Sequence, residues 1–185
     1  MKVFIKNMVC DRCILVIKSM FNEMNLPIES VKLGEVGVSR ELSVDELSTL
    51  EKRLTAIGFE LLDDRRSQLV EKVKTILVEI VYNRISINTN LSDYISDQLH
   101  LDYNYISTLF SETERTTIEK LFINQKIERA KELLEYNELS LSEIAIELNY
   151  SSTAHLSSQF KKITGLTPTQ FKDKGVKSRF PIDKL

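Results

Sequence analysis

Lys2-Val3-Phe4-Ile5-Lys6 is a short apolar run, rich in β-branched and aromatic residues and closed by a lysine at each end, and it reads as a strand. The pattern then changes. Ile14, Ile17, Met20, Phe21 and Met24 recur at helical spacing, and Pro27 closes that helix. Ser30-Val31-Lys32-Leu33 and Val36-Gly37-Val38 flank Gly34, which predicts two short strands joined by a tight turn. Ser43-Val44-Asp45-Glu46 is a capping-box start for a second helix, whose core face is Leu47, Leu50, Leu54 and Ile57. Gly58 ends it, and Phe59-Glu60-Leu61-Leu62 reads as a last strand. The first 64 residues therefore predict the order βαββαβ, the split arrangement of ferredoxin-like domains.

A polar break, Asp63-Asp64-Arg65-Arg66-Ser67, opens a connector spanning 65–90. Leu69, Val70, Val73, Ile76, Leu77, Ile80 and Val81 form a helical stripe about one hundred degrees wide. The stripe predicts either the first helix of the C-terminal domain or a short coiled coil pairing two subunits. Asn83 to Asn90 reads as a loop, with Asn90 a candidate cap for the next helix.

Residues 91–185 carry helical periods only, so the chain is predicted to be α+β. Leu141, Ile144, Ala145 and Leu148 share one helix face, Asn149-Tyr150-Ser151 interrupts, and Leu156, Phe160 and Ile163 resume the period. Asn149 tolerates the left-handed backbone of a sharp turn. Ser151 is the expected cap of the new helix, and small Ala145 lets two helices approach. Such a helix-turn-helix can lay its second helix in a DNA major groove. A weaker copy precedes it: Ser96, His100 and Asp102 take the places of Ala145, Asn149 and Ser151, while Ile106, Leu109 and Phe110 match Leu156, Gln159 and Phe160. One helix, Ile118 to Tyr136, joins the copies and spans about 28 Å, near the roughly 34 Å spacing of successive major grooves.

Two stretches carry resemblances. Glu143 to Lys172, with its Ile144-Ala145 helix, Phe160-Lys161-Lys162, Thr164-Gly165 and Thr167-Pro168, resembles the second half of the AraC-family DNA-binding domain. The copy before it extends that likeness to about half the chain and implies a double helix-turn-helix regulator. Arg115 departs from the pattern, because the equivalent place after Phe160 holds Gly165. Met8-x-Cys10-x-x-Cys13 between the first strand and first helix, with Gly58-Phe59 before the last strand, resembles the heavy-metal-associated domain of copper chaperones and metal-pumping ATPases. Val9 stands where that family usually has Thr or His.

Those resemblances assign the candidate residues. Position, not charge, nominates Asn104, Ser107 and Thr108 on the first reading helix, and Thr153, His155, Ser157 and Ser158 on the second, to face bases of double-stranded DNA. Solvated helix surface is the alternative for each. Lys161 and Lys162 suit phosphate. Cys10 and Cys13 supply two soft thiolates, a set that favours Cu(I), with Zn(II) the alternative, since zinc wants four ligands and no other cysteine exists. The helix N-terminus and Arg12 are expected to lower the thiol pKa. The same pair can instead serve as a thiol-redox switch, though the proline and tryptophan neighbours usual for that chemistry are missing, or sit in a protein-interaction module that holds no ion.

Composition adjusts this picture only slightly. The 185 residues hold 25 Lys+Arg against 27 Asp+Glu, so overall charge does not favour nucleic acid. From Ser151 onward seven basic residues (Lys161, Lys162, Lys172, Lys174, Lys177, Arg179, Lys184) face two acidic ones (Asp173, Asp183), a local net of +5. Absence of a long apolar run or a leader predicts a cytoplasmic protein without membrane contact. No phosphate loop, catalytic triad or carboxylate pair stands out, so no enzyme is expected. Expected partners are DNA, a second copy of the chain, and a metallochaperone.

Overall fold

The structure, a computed structural model, describes residues 1–83, 85, 87, 89–174 and 180–182. Two compact units divide it, Met1–Thr75 and Ile76–Leu185. Among the described residues no helix is long and apolar enough to cross a membrane.

The first unit runs β1 (Lys2–Lys6), α1 (Asp11–Glu23), β2 (Ile28–Lys32), β3 (Glu35–Val38), α2 (Val44–Ala56) and β4 (Glu60–Leu62), followed by α3 (Arg65–Tyr82), whose last turns lie in the second unit. The sheet order is β2-β3-β1-β4, every neighbour antiparallel. Each helix thus connects two strands that have a third strand between them. Val3, Ile5, Val36 and Val38 face the helices and share a core with Ile17, Phe21, Leu50 and Leu54. Gly37 pairs with Lys2 and Ser30; a Cβ there would meet Ser30 Oγ at 2.6 Å. Helix α2 begins on the predicted capping box, with Ser43 and Glu46 satisfying each other's backbone N–H. Helix α1 stops earlier than Pro27 suggested: Met24 is its C-cap and Asn25 turns left-handed at φ 54°.

The connector stripe does more than either expectation held. Its first part packs on the sheet of the first unit. The Asn7 N–H donates to Glu71 Oε1 at 2.9 Å, Gln68 Nε2 donates to the Leu62 carbonyl, and Lys72 Nζ sits 4.9 Å from the Phe4 ring centroid. Phe4 and Leu62 are paired residues on the sheet face that turns away from α1 and α2. That face is covered because α3 folds back over it. The last turn of α3 enters the second core through Val81.

The second unit continues with α4 (Leu91–Leu99), α5 (Tyr103–Glu114), α6 (Ile118–Tyr136), α7 (Leu141–Glu147), α8 (Thr153–Thr164) and α9 (Pro168–Lys174). Helix α6 has the predicted bounds and packs against α5, α7, α8 and α9. Being central, it is buried on most sides, and even Glu128 and Lys131 are buried, paired at 2.5 Å.

Left-handed residues end most of these helices. Asn137 and His100 do so at φ 55° and 54°, and Asn149 closes the turn after α7 at φ 53°. Arg115 does the same after α5 at φ 55°, matching Gly165 after α8 at φ 77°. The backbone demand overrides the side chain, at a cost of about 1 kcal/mol for an L residue without a local polar contact. Arg115→Gly is therefore expected to raise stability by about 0.5 kcal/mol after the added freedom of the unfolded chain is subtracted. A urea midpoint lower than wild type would show that the arginine compensates through its own contacts.

Candidate nucleic-acid interface

Helices α4–α5 and α7–α8 are two copies of one device, but their turns differ by a residue. Ile95 and Ile144 are buried equivalents, forty-nine apart; Phe110 and Phe160 are fully buried equivalents, fifty apart. The extra residue lies in the second turn. In consequence Ser152, not Ser151, caps α8, its Oγ accepting from the His155 N–H at 3.1 Å. Asp102 caps α5 as expected, accepting from the Asn104 and Tyr105 N–H groups. Ser151 was misplaced because sequence alone shows a serine pair and no way to choose between them. Asn90 precedes α4 with extended backbone but makes no side-chain cap.

Burial sorts the candidates around each helix. Leu156 and Phe160 anchor α8 inward, Phe160 meeting Phe171 edge-to-face at 5.5 Å. At one hundred degrees per residue, Ser158 then lies opposite the core, flanked by Lys161 on one side and by His155 and Lys162 on the other. All four are exposed, whereas Thr153 and Ser157 are half-buried on the flank. Ile163, expected on the core face, is 40% exposed. Ile106, Leu109 and Phe110 turn α5 the same way. Asn104 and Thr108 occupy its exposed face, and Ser107 sits on the flank with its hydroxyl donating back to the Asn104 carbonyl at 3.2 Å.

The offset of fifty exposes a residue the sequence reasoning missed. Tyr105, 55% exposed, stands where α8 carries His155. The internal repeat already contained that signal. His155 has its Nδ1 3.1 Å from Ser151 Oγ and its ring edge-on to Tyr150 at 5.2 Å, which leaves Nε2 as its remaining hydrogen-bonding atom.

Charge is distributed unequally between the copies. Where α8 has Lys161 and Lys162, α5 has Ser111 and Glu112. Residues 91–115 carry Asp93, Asp97, Asp102, Glu112 and Glu114 against Arg115 alone. Exposed positive charge is therefore concentrated on α8 and α9, where Lys172 is also exposed. Lys177, Arg179, Asp183 and Lys184 of the basic end lie outside the described residues.

At the other end of the chain, Cys10 is the N-cap residue of α1 and Cys13 lies in its first turn, their sulfurs 3.5 Å apart. Cys10 is exposed and Cys13 half-buried. Burial pushes the Cys13 thiol above its ordinary pKa, outweighing the backbone hydrogen bonds that pull it down, so the expected lowering does not hold for Cys13. Among the described residues no group of three His, Cys, Asp or Glu could hold a metal ion. The donor set fits a soft ion of low coordination number and is incomplete for zinc.

A family profile described as a helix-turn-helix domain matches residues 95–174. The melibiose operon regulatory protein of Escherichia coli K12 is 24% identical over 158 residues, covering 81% of this chain and 50% of that protein. An uncharacterized HTH-type transcriptional regulator, YtdP of Bacillus subtilis, is 22% identical over 134 residues, 69% of this chain and 17% of its own length. The chain thus spans half or less of these relatives. Among solved structures, the C-terminal domain of AraT, a response regulator from Geobacillus stearothermophilus, shares the fold with a TM-score of 0.54 at 23% identity, over 64% of this chain and 94% of that one. The second unit carries a helix-turn-helix domain of this kind.

Proposed function

Starting from a chain whose second unit carries a helix-turn-helix domain, we propose that this protein is a DNA-binding transcription regulator of the AraC type and not an enzyme. The observation that carries the reading is the matched pair of helices α5 and α8. Each is capped at its N-terminus, anchored by a buried phenylalanine fifty residues from its counterpart, and turned so that short polar side chains face outward. Both pack on α6, whose 19 residues span about 28 Å. Asn104, Thr108, Tyr105, Ser158 and His155 meet base edges, while Lys161 and Lys162 meet phosphate. A second copy of the chain extends the contact over a longer site.

The first unit is ferredoxin-like and related to heavy-metal-associated domains, a reading supported by the sheet order β2-β3-β1-β4 and the placement of the cysteine pair at the start of α1. Cys10 and Cys13 hold one soft ion, Cu(I) before Zn(II), and its binding changes operator affinity. A switch of this kind needs the ion to prefer one conformer, since equal affinity for both shifts nothing. Glu71 offers the link: it sits on α3 yet holds the Asn7 N–H, three residues before Cys10. The second reading makes the pair a thiol-redox switch or the unit an interaction module for a metallochaperone, favoured by the exposure of Cys10 and the 3.5 Å sulfur separation.

One experiment addresses both layers. Full-length chain is used to select duplexes from a random pool, and affinity for the winner is measured alone, with one equivalent of Cu(I), with Zn(II), and with a mild oxidant. Selection of no preferred duplex ends the regulator reading. A shift with Cu(I) that Cys10→Ser abolishes supports metal sensing; a shift with oxidant only moves the assignment to redox; no shift with any treatment leaves the interaction module.

A further inference from the structure

Lys126 belongs to α6, not to either reading helix, and DNA contact does not account for its surroundings. Its Nζ lies 4.6 Å from the Tyr150 ring centroid, 4.9 Å from that of Phe122, and 3.5 Å from the Asn149 carbonyl oxygen. Asn149 is the left-handed residue of the turn between α7 and α8. Tyr150 links this turn to α8. Its hydroxyl donates to Gln159 Oε1 on α8, and its ring meets the His155 ring edge-on at 5.2 Å. Ser151, the next residue, holds His155 Nδ1. A cation on α6 is thus connected, through one aromatic residue and one carbonyl, to the orientation of a side chain on the exposed face of α8.

We propose that Lys126 is a positioning residue for the second reading helix: its ammonium, held between two rings and on the Asn149 carbonyl, sets the turn and through Tyr150 the His155 ring. The consequence for DNA rests on the regulator reading above. Two rings facing one ammonium attract it through their quadrupoles, and partial desolvation strengthens that attraction. The groups facing Nζ are Phe122 from its own helix, and the Asn149 carbonyl and Tyr150 ring from the turn. Burial raises the Tyr150 pKa, so its phenol stays protonated. Among the described residues no carboxylate pairs with Lys126.

The clamp is consequently sensitive to pH. Burial lowers the Lys126 pKa from 10.5 to about 8. The unfolded chain keeps this proton up to the ordinary lysine range while the folded chain releases it near pH 8. Global stability therefore rises with pH across that window, even as the cation–ring attraction disappears. A stabilising role alone would move binding and stability together; a positioning role moves them apart.

The test uses the full chain, the selected duplex and a random-sequence duplex. Lys126→Met, which keeps the apolar stem, is expected to weaken binding to the selected duplex about five- to tenfold and to leave random-sequence binding within about twofold. Lys126→Arg keeps the cation and restores selected-duplex affinity to within about twofold of wild type. Wild type loses affinity for the selected duplex from pH 7 to 9, and Lys126→Arg does not. Without DNA, the His155 ring-proton resonance shows a step near pH 8 in wild type that is absent in Lys126→Arg. Equal losses on both duplexes would make Lys126 a phosphate contact and overturn the proposal, as would an unchanged Lys126→Met. Failure of wild type to bind any duplex would remove the regulator reading, but the resonance step would still decide whether the clamp exists.

Discussion

Replacing Lys161 and Lys162 together by glutamine is expected to weaken DNA binding by roughly thirtyfold or more, at about 1 kcal/mol or above for each ammonium–phosphate hydrogen bond removed. Both lysines are exposed at the C-terminal end of α8, next to its outward face. The loss should be nearly uniform over sequences, because phosphate carries no base identity. The slope of log affinity against log salt should become shallower by about two. The reverse change belongs to α5, where Ser111 and Glu112 occupy the equivalent places. Ser111→Lys with Glu112→Lys should tighten binding and steepen that slope. Titrations at four salt concentrations decide it. An unaltered slope in the glutamine variant would mean that α8 does not lie along the backbone in this way, and the charge contrast between the two copies would lose its meaning.

Phe160→Ala should cost about 3–5 kcal/mol, the range for removing a fully buried aromatic ring whose cavity cannot collapse. Phe160 is 0% exposed and packs edge-to-face on Phe171 at 5.5 Å, with Leu156, Ile127 and Ala130 in the same cluster. Ring geometry adds to the area term. Set against a typical stability of about 5–15 kcal/mol, this loss removes a large share of the folding free energy. Chemical denaturation followed by helical circular dichroism measures it. A loss below about 1 kcal/mol would show that neighbouring side chains refill the space and that the ring does not organise α8.

Much of this molecule is legible in its residue order. Short apolar stretches became strands and period-3.6 stretches became helices, because one face of each must be buried and burial leaves its mark on residue order. The capping box at Ser43 and the bounds of α6 came through for the same local reason: caps and apolar stripes act within a turn or two of chain. The outward placement of Asn104, Thr108, His155 and Ser158 followed from the positions of Ile106, Phe110, Leu156 and Phe160. Legibility failed where a choice depended on something distant. Ser151 and Ser152 are equivalent in sequence, and only the actual length of the turn made Ser152 the cap. The Cys13 thiol was expected to be acidified by its helix, but burial, which residue order does not report, pushes it the other way.

Sequence by itself determined the element order, the two helix-turn-helix copies and the outward faces of α5 and α8, since periodicity, caps and left-handed asparagines are properties of neighbours in the chain. Tertiary structure alone decided that α3 covers the sheet face bearing Phe4, that Glu71 holds the Asn7 N–H, and that Lys126 meets the Tyr150 ring and the Asn149 carbonyl. Those contacts join groups many residues apart or on different elements. Their energies depend on burial and approach distance, neither of which a local pattern contains.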